Sequence, residues 1–123
     1  MEKQKILIAD DSEMNRALLV DILEDQYDIV EADNGAAAID LLTQCGGNFS
    51  LLLLDIMMPE MDGFEVLAYI NRYHLNDTLA VIMISADDSP ANIKRAYDLG
   101  AFDYISRPFD AAIVRRRISN TML

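Results

Sequence analysis

Three aspartates, a serine and an arginine carry the chemistry of this sequence, and each stands where an apolar run stops. Asp10 and Asp11 follow Lys5 to Ala9, Asp55 follows Leu51 to Leu54, and Ser85 follows Leu79 to Ile84. Ser106, Arg107 and Pro108 follow Phe102 to Ile105. Carboxylates gathered in one cleft repel each other and stay ionised together only around positive charge. A hard cation with oxygen ligands meets that need, Mg2+ first and Mn2+ in its place. Arg107 supplies a second positive charge. A carboxylate surrounded by a divalent cation, a guanidinium and a hydroxyl is a pocket for phosphoryl transfer, with the carboxylate as nucleophile. Taken singly, each residue has a plainer explanation. An acidic pair after a strand ordinarily caps a helix, Asp55 could cap the turn before Met57-Met58-Pro59, and Ser85 could cap the helix after it. Their joint placement is what favours a site.

The elements that must bring these residues together alternate regularly. Lys5–Ala9 reads as a short buried strand, and Ser12–Asp25 as a helix with Met14, Ala17, Leu18 and Ile22 on its inner face. Tyr27–Ala32 is a second strand. Asn34-Gly35 turns into a helix carrying Ile39, Leu41 and Leu42, which Gly46-Gly47 stops. Leu51–Leu54 is wholly apolar, as a central strand covered on both faces should be. A loop with Pro59 leads to a helix from about Gly63 to Tyr73, with Val66, Leu67 and Ile70 inward. Leu79–Ile84 is the fourth strand. Ser89-Pro90 opens the fourth helix in cap-then-proline order, and Gly100 ends it. Phe102–Ile105 is the fifth strand, and Asp110 caps a last helix with Val114 and Ile118 inward. This pattern predicts one doubly wound α/β domain over residues 1–123, with a five-stranded parallel sheet and five helices. Ligands of such sheets bind beyond the carboxyl ends of the strands, which is where all the residues above fall.

Composition removes several other classes. A net charge of −11 disfavours nucleic acid and anionic lipid. The basic run Arg115-Arg116-Arg117 reads as a solvated helix face. With one histidine (His74) and one cysteine (Cys45), a His/Cys zinc site lacks ligands and an internal disulfide is excluded. No apolar run approaches the roughly 18 residues of a membrane span, and the first strand meets Asp10 too soon for a signal peptide, so the cytoplasm is expected.

The stretches ILIADDSEMNR, LLLLDIMMPEMDGFEVL, VIMISA and AFDYISRPF resemble, in this order and at these intervals, the CheY-like receiver domain of bacterial two-component response regulators. The resemblance covers essentially the whole chain and implies a flavodoxin-like sheet of order 2-1-3-4-5. It implies that Asp55 is the phosphoacceptor, with Asp10 and Asp11 as the acidic pair. Asp11 is then the more direct metal ligand beside Asp55, and the carbonyl of Met57 a further one. Ser85, with the adjoining Ala86, matches the phosphate-binding hydroxyl position, and Tyr104 the aromatic switch. Pro59 and Gly63 belong to the active-site loop, and Pro108 matches a proline after a cis peptide bond. Met57 and Asp87 fall at positions that tune phosphoryl lifetime. The thioether of Met57 cannot hold an attacking water, which implies slow self-dephosphorylation. Arg107 departs from the family, which has lysine there. A planar guanidinium is not a compact ammonium, so Arg107 is expected to keep the charge balance while weakening phosphorylation or its coupling to Tyr104.

The function expected from this resemblance is a phosphorylation-dependent switch and not a conventional enzyme. The donor would be a sensor histidine kinase or a histidine phosphotransfer protein, docking near the first helix around Met14, Asn15 and Leu18. The response would appear on the fourth helix, fifth strand and fifth helix, a surface that also suits homodimerisation. The ending IVRRRISNTML suits a domain excised from a longer protein with a C-terminal output domain, such as a cyclic-di-nucleotide or phosphohydrolase module. The alternative is a receiver-like interaction module made inert by Arg107. An aspartyl phosphatase of the haloacid dehalogenase type would need its D-x-D nucleophile after the first strand. A flavodoxin-like flavin binder would need a Ser/Thr/Gly-rich loop where Asp10 and Asp11 stand.

Overall fold

A computed structural model describes residues 3–44, 48–75, 78–86 and 89–122. Its elements alternate without exception: β1 (Lys5–Ala9), α1 (Glu13–Leu23), β2 (Asp28–Ala32), α2 (Gly35–Gln44), β3 (Leu51–Asp55), α3 (Gly63–Arg72), β4 (Ala80–Ser85), α4 (Pro90–Asp98), β5 (Asp103–Ser106) and α5 (Ala111–Thr121). The strands form one parallel sheet, as the alternation predicts, in the order β2-β1-β3-β4-β5 that the resemblance implies.

The reason lies in β3. Every residue of Leu51–Asp55 is buried, so this strand must be covered on both faces. Its side chains alternate between two cores. Leu52 and Leu54 join Leu7, Val81, Met83, Val66, Leu67 and Ile70 beneath α2 and α3. Leu51 and Leu53 join Ile6, Ile8, Ile82 and Ile84 beneath α1 and α5, where Val114 and Ile118 pack as expected. Each fully buried leucine of this kind contributes about 1.5–3 kcal/mol.

The helix starts are fixed locally. Ser12 caps α1 by accepting from the N–H of Asn15. Asp62 and Glu65 form a reciprocal capping box at α3. Ser89 and Asp110 cap α4 and α5, with Pro90 in the first turn of α4. Gly100 ends α4 with a φ of +97°, a conformation that favours glycine. The expected stop at Gly46-Gly47 lies outside the described residues.

One expectation is overturned. The inner face of α1 is not Met14, Ala17, Leu18 and Ile22. Met14 is 74% exposed, Ala17 and Leu18 are exposed too, and only Ile22 packs partly inward. The buried residues are Leu19 and Leu23, with Val20 packed beside them. Apolar residues run unbroken from Ala17 to Val20, so periodicity admits two stripes. The structure selects the stripe Arg16, Leu19, Val20, Leu23, which is headed by a charged residue. Strand ends also shift slightly: Asp55 and Ser85 are the last residues of β3 and β4 rather than the first beyond them.

Candidate functional site

The carboxyl ends of β1, β3, β4 and β5 bring the sequence-predicted residues to one edge of the sheet. Asp10, Asp11 and Asp55 each offer a carboxylate oxygen within 4.8 Å of the others. Asp10 is fully buried and Asp55 is 1% exposed, while Asp11 lies open to solvent.

Asp10 is held on all sides. Its N–H continues the β1–β2 ladder to the carbonyl of Ala32 at 3.1 Å. Its Oδ1 accepts from the N–H of Ser12 at 2.8 Å, and its Oδ2 from Arg107 Nη2 at 2.6 Å. Its carbonyl accepts from Arg16 Nη1 at 2.7 Å. Asp55 Oδ1 accepts from the N–H of Met57 at 3.3 Å and lies 3.0 Å from Arg107 Nη2. One arginine nitrogen therefore bridges two buried carboxylates. Arg107 Nε is buried and has no hydrogen-bond partner among the described residues. Burial, and then the charge of Asp10, push the Asp55 carboxyl up from 3.8 to about 6, against the opposing pull of Arg107 and the Met57 N–H.

The rest of the edge is built around this pair. Ser85 is buried opposite Ser106, and its carbonyl accepts from the N–H of Arg107 at 2.9 Å, tying the end of β4 to the turn after β5. The Arg107–Pro108 peptide is cis, as the resemblance implies. Gly63 allows α3 to start against the strand end: a Cβ there would lie 2.3 Å from the carbonyl oxygen of Asp55 and 2.8 Å from Ile56 Cα. Met57 turns its side chain outward, 68% exposed, and Pro59 and Ala86 are exposed as well. Tyr104 is buried within the sheet core. Its N–H donates to Asp103 Oδ1 at 2.8 Å and its carbonyl accepts from Arg117 Nη1. Asp87 lies outside the described residues.

A donor set of three carboxylates fits a hard divalent cation of the Mg2+ kind. Asp10 already spends an oxygen on Ser12 and another on Arg107, which leaves Asp11 and Asp55 as the freer donors. The sequence reading missed Arg16 and Glu31. Arg16 is 15% exposed and donates through Nε to Glu31 Oε1 at 3.1 Å as well as to Asp10. No usable signal was present: Arg16 is in register with Leu19, Val20 and Leu23, but a charged residue at the head of a stripe argues against turning that stripe inward. The basic run near the C-terminus is largely a helix face, with Arg115 reaching the carbonyl of Ile22 and Arg117 pairing with Asp103.

Comparison with known proteins agrees with this geometry. Residues 6–119 match the family model of the response regulator receiver domain. A probable cyclic di-GMP phosphodiesterase of Vibrio cholerae is 34% identical over 113 residues, 92% of this chain and 25% of that protein. The transcriptional regulatory protein SrrA of Staphylococcus aureus is 35% identical over 127 residues, 96% of this chain and 51% of that protein. The chain thus spans about a quarter to a half of these relatives. Among solved structures, the CheX-CheY-BeF3-Mg2+ complex of Borrelia burgdorferi superposes with a TM-score of 0.92 at 30% identity, covering 99% of this chain and 91% of that one. With a matching sequence, the CheY-like sheet order and the acidic edge all in agreement, the chain belongs to the receiver-domain family of two-component response regulators.

Proposed function

We propose that Asp55 accepts a phosphoryl group from a phosphohistidine donor, with a divalent cation held by Asp11, Asp55 and the main chain of Met57 and oriented by Asp10. A phosphoryl-accepting switch is the general role of the family. The observation that carries the reading for this chain is Asp55 itself: the last residue of the central strand, buried, and within reach of Asp10, Asp11 and Arg107. When bound, the cation supplies positive charge for the oxygens of the transferred group. The chain's own residues do the rest. The Asp55 carboxylate attacks the phosphorus in line as the P–N bond breaks and the electron pair leaves with the donor's imidazole. Arg107 and the N–H groups of the loop hold the phosphoryl oxygens, and Ser85 hydrogen-bonds the phosphoryl group.

The new charge draws Ser85 and Ala86 toward Asp55 and biases the surface of α4, β5 and α5 through Tyr104. A linked network supports that route. Asp103 Oδ1 accepts from Tyr97 of α4 at 3.2 Å, from the N–H of Tyr104 in β5, and from Arg117 of α5 at 3.2 Å. This surface is the contact for an output domain or a second copy. The histidine kinase or phosphotransfer protein docks beside α1, where Met14 and Leu18 are exposed. The cytoplasmic placement belongs to this same reading. None of the described helices is long and apolar enough to cross a membrane.

The test is treatment with acetyl phosphate and Mg2+, followed by mass spectrometry. An acyl-phosphate adduct on Asp55, lost in Asp55→Asn, is expected. No adduct under saturating donor sinks the reading.

A second reading, an interaction module impaired in switching, rests on Arg107 Nη2 contacting both Asp10 and Asp55. A guanidinium clamped on the acceptor keeps the charge balance while slowing phosphorylation. Arg107→Lys separates the two readings. Phosphorylation rate and activated fraction equal to the parent's would dismiss the second.

A further inference from the structure

Arg16 has no place in the chemistry described so far, yet it is built into the same edge. It points inward from the first turns of α1, where an apolar side chain would otherwise sit above Leu19, Val20 and Leu23. Its Nη1 donates to the carbonyl of Asp10 at 2.7 Å and its Nε to Glu31 of β2 at 3.1 Å. Asp10 lies one residue past the end of β1: its N–H still joins the ladder, on the carbonyl of Ala32, while its buried carbonyl takes its donor from α1. A guanidinium donor makes that bond charge-assisted. Because the peptide unit is planar, fixing the carbonyl of Asp10 also fixes the N–H of Asp11 and the direction in which its Cα leaves. Asp11 is the exposed member of the acidic cluster, so the backbone before it governs where its carboxylate points.

We propose that Arg16 is a positioning residue of the acidic pocket: anchored on Glu31, it holds the Asp10–Asp11 peptide so that the Asp11 carboxylate stays beside those of Asp10 and Asp55, and thereby sets the pocket's affinity for a divalent cation. The inference rests on the cation-binding part of the proposed function alone.

The sign of the effect separates positioning from simple charge. Arg16 is a cation beside a cation site. Acting only through its field, it would oppose metal binding, and its removal would tighten the site. Acting as a brace, its removal loosens the site, as loss of partners behind metal ligands generally does. Glu31 opposes the field term by neutralising Arg16 at its other end.

The experiment is Mg2+ titration by isothermal calorimetry on the parent, Arg16→Ala, Arg16→Lys and Glu31→Gln, with melting temperatures in EDTA and in Mg2+. Arg16→Ala is expected to weaken Mg2+ binding by on the order of tenfold. Lysine should recover part of the loss, and Glu31→Gln should lose less. Affinity within about twofold of the parent, even with a lowered melting temperature, would make Arg16 merely structural and overturn the proposal. Tighter binding would overturn it as well. If Arg16→Ala does not fold, parent-like affinity in both Arg16→Lys and Glu31→Gln overturns it equally. A parent that binds Mg2+ but takes no phosphoryl group from acetyl phosphate defeats the functional reading and leaves this inference standing. A parent that binds no Mg2+ defeats both.

Discussion

Replacing Asp55 by asparagine should stabilise the metal-free protein at neutral pH. Burial and the neighbouring Asp10 raise the Asp55 carboxyl from 3.8 to about 6. Between those values the folded chain holds a proton that the unfolded chain releases. Stability therefore falls as pH rises through the window, and the loss is complete above about pH 6. At about 1.4 kcal/mol per unit, the ionised carboxylate costs roughly 3 kcal/mol. Asparagine has nearly the same shape, still accepts from the Met57 N–H and Arg107, and has no charge to desolvate. The pull of Arg107 on the charged form is already contained in the net rise to about 6. The gain is therefore about 3 kcal/mol at pH 7.5, or about 12 °C in melting temperature for a chain of this size. Thermal unfolding followed by circular dichroism in EDTA, from pH 4 to pH 8, measures it. The advantage should be absent near pH 4, grow through the window and level off above it. Mg2+ should shrink it by stabilising the parent more than the variant. A difference independent of pH, or a parent more stable at pH 8, would refute the reasoning.

Gly63→Ala should cost about 3 kcal/mol or more in urea unfolding, because the added methyl meets backbone that cannot rotate away; a parent-like midpoint would contradict the close packing of α3 on β3. Asp62→Ala removes the side-chain arm of the capping box, the bond from the Glu65 N–H, and should cost about 1 kcal/mol, with Mg2+ affinity unchanged on titration since Asp62 is not in the acidic cluster. Met57→Asn places an amide where an exposed thioether now stands and should shorten the acyl-phosphate lifetime several-fold in Phos-tag time courses. An unchanged half-life would mean the side chain at this position does not reach the water that attacks.

The sheet was legible because β3 and its neighbours are short apolar runs closed by polar residues. Asp10, Asp55, Ser85 and Arg107 fall at one edge for that reason alone. What could not be read was the rotation of α1. Four consecutive apolar residues from Ala17 to Val20 support two stripes, and the arginine at the head of the true one argued against it. Only the tertiary partners of Arg16, the carbonyl of Asp10 and the carboxylate of Glu31, decide between them. The doubly bonded nitrogen of Arg107 was equally hidden. A sequence gives the charge at that position but not that one atom touches two carboxylates. The cis bond before Pro108 and the close approach at Gly63 came by resemblance, since neither has a periodic signature.

The bond between Arg107 and Asp10 joins residues separated by 97 positions in the chain. Its consequence concerns folding quality. Contacts of such long range form late, after the costly loop closures of a parallel sheet have been made. A chain stalled with β5 undocked holds Asp10 and Asp55 without the arginine that bridges them, and without the Ser85–Arg107 tie that closes the edge. Labelling of Asp55 should then report that the whole sheet is assembled. A half-made domain would be silent in a phosphorylation assay even while its helices and central strands give a native-looking spectrum.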